Sequence, residues 1–183
     1  METTESLASA VIHAITVDAR ERALTGGSRD WTQAFWDALA QLAQTTHLDL
    51  YPKEGPYKGE YHLDFVLWEP GYGPRVGIES QWLHWRQNDS RKSLGWAFDK
   101  LQGVKCDLKI LIFDWAGLNP KQLPAEVVDR LHESMFDFQI NSASEHYLFI
   151  WFEGAKSEVF EWKPAHDGKQ SKGEIVFSPV KRE

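Results

Sequence analysis

The chain is poor in the features that would mark several large protein classes. It has a single cysteine, Cys106, which excludes an intramolecular disulfide framework and a multi-cysteine zinc site. Cys106 has no His–Asp pattern near it that would make it a nucleophile, and reads as a small core residue. No apolar run approaches membrane-spanning length, and the first ten residues, METTESLASA, lack a basic stretch followed by an apolar block. These absences predict a reduced, cytoplasmic protein with no membrane partner. Positive charge is also in deficit: 20 Lys and Arg stand against 27 Asp and Glu, a formal charge of −7. The molecule as a whole therefore does not attract polyanions, and any contact with nucleic acid has to be local.

Hydrophobic residues, by contrast, make up 42% of the 183 positions, ample for the core of a single domain spanning 1–183. Nine tryptophans supply large apolar rings with one donor each, suited to a core or a binding face. There is no internal repeat, low-complexity tract or linker long enough to split the chain.

Residues 4–24 read as a helix with Leu7, Val11 and Ile15 on one face and Gly26–Gly27 beyond its end. In the next segment Trp31, Ala34, Phe35, Ala38, Leu39, Leu42 and Ala43 recur at helical spacing, with Asp30 and Gln33 arranged like a capping box. A short strand at 48–51 and a breaker-rich loop at 52–59 follow. Two apolar strands then flank the turn residues Pro70, Gly71, Gly73 and Pro74. Each strand carries an acid, Asp64 in LDFVL and Glu79 in GIESQW. By period two Asp64 shares a face with Glu60 and His62, and Glu79 shares one with Gln81. An acid in so apolar a strand is costly unless a hydrogen bond, a base or a metal ion compensates it.

Leu94, Ala97, Phe98 and Leu101 predict a third helix, capped at Asn88, Asp89 or Ser90 and stopped at Gly103. The near-continuous apolar run 108–115 predicts a strand covered on both faces. A helix starting near Pro124, with Val127, Val128, Leu131 and Met135 inward, comes next. A hairpin at 146–162 and a strand at 174–177 close the chain. The predicted fold is α/β, a mixed central sheet flanked by helices.

The order helix, weak strand, strand with Asp64, strand with Glu79-Ser80-Gln81, helix, buried strand resembles the PD-(D/E)XK nuclease superfamily, the restriction-endonuclease-like fold. The resemblance covers residues 30–115, leaving the helix at 4–24 and the segment 116–183, with its extra strands, as additions. It implies a divalent-metal-dependent nuclease in which Asp64, Glu79 and the Ser80 carbonyl hold Mg²⁺ or Mn²⁺ and DNA, in preference to RNA, is the substrate. The chain departs from the family at Gln81, where the motif lysine usually stands. Gln81 cannot serve as a base but can orient a water, and the resemblance allows the lysine to come from the following helix, as Lys100 or Lys92. Glu60, His62 and Gln102 are candidate extensions of the site.

The stretch from His84 to Lys109 carries a local excess of positive charge in which Arg86, Arg91 and Lys92 are candidate phosphate contacts. Trp82, Trp85 and Trp96 are expected in the core, with stacking on bases as the other use. The rival expectation is a catalytically inactive protein of the same fold, acting through a protein partner or as an accessory subunit, while the strands from His146 onward are expected to extend the sheet or form a homodimer surface. A hydrolase acting on another substrate is a third.

Overall fold

The computed structural model describes residues 3–20, 28–57, 62–83, 90–115, 146–153, 156–162 and 178–179. Helix α1 (Thr4–His13) starts at Thr3, whose hydroxyl accepts the Ser6 amide at 3.2 Å. It continues as a π-helical segment, Ala14–Ala19. The expected inward face, Leu7, Val11 and Ile15, is fully buried.

Helix α2 (Ser28–Thr46) begins earlier than the capping-box reading placed it. Asp30 lies inside the first turn, where a carboxylate meets the positive end of the helix dipole, and Gln33 instead bonds Asp37 one turn on, at 3.0 Å. The helix ends where His47 adopts φ 56°. The Leu48 amide then reaches back to the Ala43 carbonyl at 2.9 Å.

The strands are β1 (Asp49–Tyr51), β2 (Phe65–Glu69), β3 (Gly73–Leu83), β4 (Leu108–Trp115), β5 (His146–Glu153), β6 (Lys156–Trp162) and β7 (Ser178–Pro179), with helix α3 (Ser90–Gln102) between β3 and β4. They form one mixed sheet in sequence order. The β3–β4 and β4–β5 pairs are parallel and the others antiparallel. The succession helix, β1, β2, β3, helix, β4 matches the order read from the sequence.

Alternation along the strands divides the core into two layers. Phe65, Leu67, Val76, Ile78, Leu108, Ile110, Ile112, Leu148 and Ile150 pack against α1, the π-helical segment and α2. Val66, Leu111, Phe113, Phe149 and Trp151 pack against Leu94, Ala97, Phe98 and Leu101 of α3. Strand β4 is buried on both sides, as its continuous apolar run requires. The expected helix near Pro124, the strand at 174–177, Gly26–Gly27 and residues 84–89 lie outside the described residues.

Candidate functional site

The face of β3 that meets α3 is set by Gly77. A Cβ there would stand 2.8 Å from Leu63 Cδ1 and 3.8 Å from Leu101 Cδ2. Glu79 and Gln81, at the same parity, belong to that face. In the β2–β3 ladder Phe65 opposes Ile78, so Asp64, one step beyond, comes opposite Glu79.

Reciprocal bonds tie the two acids. The Asp64 amide donates to Glu79 Oε2 at 3.1 Å, while Asp64 Oδ2 accepts the Ser80 amide at 2.8 Å and the Ser80 hydroxyl at 2.6 Å. From α3, Lys100 Nζ donates to Glu79 Oε1 at 2.7 Å.

These contacts leave one negative charge too many in a dry place. Glu79 is only 4% exposed. Its carboxyl is pushed up to about 7, first by burial and then by the charge of Asp64, against the opposing pull of Lys100 and of the Asp64 amide. A divalent cation is the kind of group that would relieve both causes. The donors available are hard oxygens: Glu79, and Asp64 Oδ1, which has no hydrogen bond among the described residues. In an extended strand a residue's N–H and C=O point to the same edge, so the Ser80 carbonyl is directed to the Asp64 side with its amide. Among the described residues no three His, Cys, Asp or Glu side chains converge. Two carboxylates with neutral oxygens and water match Mg²⁺ or Mn²⁺, not the nitrogen and sulfur sets that zinc prefers.

The other candidates divide sharply. Gln81 sits two residues along β3 on the Glu79 face, half-buried, and its amide has no hydrogen-bond partner among the described residues. Gln102 does not join the pair. Two positions after Lys100 it points about 200° away around the helix, and it is 3% exposed with both amide atoms unpartnered among the described residues.

His62 is exposed and adopts φ 58°. The chain is not yet a regular strand there, and Leu63 lies on the same face as Val66. The strand alternation that was to align Asp64 with His62 is therefore broken. Glu60, Trp85 and Arg86 fall outside the described residues. Arg91 and Lys92 lie in the first turn of α3, but their side chains are not described. Trp82 packs beside Phe35 with ring centroids 5.7 Å apart. Trp96, expected in the core, is 66% exposed, because Leu94, Ala97, Phe98 and Leu101 take the inward positions of α3.

Sequence reasoning missed the Ser80 hydroxyl and amide as clamps on Asp64, for which only the adjacency of Glu79 and Ser80 gave a signal. It also missed the buried Lys109, 1% exposed, whose Nζ lies 3.3 Å from the Tyr147 hydroxyl and 3.5 Å from the Gln102 carbonyl. Its place in an apolar strand was the available cue. No protein-family model matches the chain, and a search of curated proteins finds no similar sequence.

Proposed function

We propose that the chain is a divalent-metal-dependent nuclease of the PD-(D/E)XK type, cleaving phosphodiester bonds of DNA in the cytoplasm. The observation that carries the reading is the lysine of α3 on the strand glutamate: Lys100 Nζ lies 2.7 Å from Glu79 Oε1. It puts beside the acid pair a cation that position 81 does not supply, since Gln81 stands at the usual lysine position. Asp64, Glu79 and the Ser80 carbonyl would hold the metal. Bound there, Mg²⁺ supplies an activated water, charge relief for the phosphate and support for the leaving oxygen.

The chain's own residues account for the rest. Ser80 fixes one oxygen of Asp64 through two hydrogen bonds, leaving the other directed to a ligand. Lys100 is placed to donate to a non-bridging phosphate oxygen, where a fixed positive charge stabilises the charge that develops. Gln81, able both to donate and to accept, orients the attacking water without taking its proton.

The test is cleavage of plasmid and oligonucleotide substrates in Mg²⁺ or Mn²⁺. Wild type cleaves, and Asp64→Ala loses about 10³-fold or more of the rate. Full cleavage by that variant, or none by wild type on any DNA or RNA, contradicts the reading.

One observation favours a second reading. Lys100 is already engaged by Glu79, and an ion pair of that kind also suits a nuclease-fold protein that has lost catalysis and serves as an accessory module for a protein partner. That protein would leave Mn²⁺ unbound.

A further inference from the structure

Three large apolar side chains are exposed among the described residues: Tyr57, Tyr72 and Trp96. Tyr72 lies against Arg75, with the guanidinium carbon 5.1 Å from the ring centroid, and Tyr57 belongs to the loop before β2. Trp96 stands apart by its position. It is one helical turn before Lys100 on α3, and the Lys100 ammonium sits 4.9 Å from its ring centroid. That ammonium is also the one bonded to Glu79. A single cation–π contact and a single hydrogen bond therefore separate an open indole from the acid pair.

From this geometry we infer that Trp96 is a stacking platform for an unpaired nucleobase next to a phosphate at the Lys100 ammonium, so that the preferred ligand is single-stranded DNA. The inference rests on the nuclease reading of that site and names its substrate class. An aromatic ring can take any base by its π-face. In a duplex both faces of each base are already covered by neighbours, so a ring beside the phosphate site finds a free base only where the strand is unpaired. The charge balance points the same way. At a formal −7 the protein cannot depend on long-range attraction of phosphates, and stacking takes a correspondingly larger share of affinity. The Lys100–Trp96 contact adds a second role, since it fixes the indole relative to the phosphate-binding ammonium.

The experiment is fluorescence anisotropy of a labelled oligothymidylate and of a blunt duplex of equal length, with full-length protein in EDTA so that binding is read without cleavage. Trp96→Ala is expected to weaken single-strand binding about tenfold, with Trp96→Phe retaining most of it and duplex binding unchanged in both. Circular dichroism of each variant controls for folding. Equal single-strand binding by wild type and Trp96→Ala, parallel losses on both ligands, or no binding by wild type overturns the inference. The two readings fail separately. Cleavage in Mg²⁺ that is indifferent to Trp96 removes the platform and keeps the nuclease. Trp96-dependent binding without cleavage in any metal does the reverse.

Discussion

Strand β3 carries two clusters with the same charge inventory, two carboxylates and one cation, and they use the cation differently. At the start of the strand Arg75 is the extra residue of a β-bulge, between the pairs Leu67–Val76 and Trp68–Pro74. Its buried guanidinium reaches Glu69 with one nitrogen and Asp107 with another, the latter at 2.7 Å. Burial alone would lower the Arg75 pKa, but the hydrogen bonds and charges of Glu69 and Asp107 together raise it. The two acids keep 27% and 29% of their side chains in solvent.

At the middle of the strand the acids face each other instead. Lys100 bonds Glu79 at 2.7 Å, Asp64 is held by the neutral donors of Ser80, and the Glu79 carboxyl rises to about 7. Equal charges thus give a satisfied tie in one place and an unrelieved surplus in the other. A fork-shaped cation between two acids is a fastening. Two acids on facing strands beside a point charge keep a surplus that a further cation would offset.

The sharpest way to break this contrast is to remove an acid from one cluster and the cation from the other and compare activities. Asp64→Ala should lose the metal-dependent cleavage described above, while Arg75→Met leaves the rate within about twofold of wild type, as for a residue outside the reacting centre.

The contrast also has a pH signature. An isolated glutamate titrates at 4.5 and Glu79 in the fold at about 7. Between those values the unfolded chain releases a proton that the folded chain keeps, so stability contributed at low pH is lost as pH rises through the window. The loss is complete above about 7 and amounts to about 3 kcal/mol. Glu79→Gln, which does not titrate, should lack this component. Urea unfolding of both proteins at pH 4.5 and pH 8 measures it, and an unchanged difference between them contradicts the surplus.

A somewhat smaller effect is expected at Lys100. Lys100→Ala should lower cleavage about 10²-fold, and adding Gln81→Lys should recover part of it by returning a lysine to the strand position. No recovery in the double variant would mean that Lys100 acts by its position on α3. The smallest effect is on stability. Arg75→Met keeps the apolar stem, and its two acids can hydrate, so it should cost about 2 kcal/mol, below the usual penalty for splitting a fully buried pair. The shift in urea midpoint reads it directly.

What the sequence disclosed follows from how local the signals are. The mixed sheet was legible because β4, β5 and α2 have unbroken apolar periods that packing obeys. Asp64 and Glu79 were legible because acids stand out in strands such as LDFVL and GIESQW. The alignment of Asp64 with His62 failed because the backbone departs from strand geometry at His62, where a positive φ breaks the period of two. Trp96 was misplaced because aromatic content favours burial on average, whereas four aliphatic and aromatic neighbours already filled the inward face of α3. The Arg75 tie stayed hidden because its acids come from positions 69 and 107, brought together only by the bulge and the loop before β4. Lys100 was readable as a donor from the following helix, but which carboxylate oxygen it meets depends on the crossing of α3 over β3.

Calorimetric titration of Mn²⁺ into the full-length protein at pH 8 tests the central claim most directly, because it reads the acid pair without requiring a substrate. One site per chain is expected in wild type and in Arg75→Met, absent in Asp64→Ala. No binding by wild type, or the same binding after Asp64→Ala, would contradict a cation site at Asp64 and Glu79.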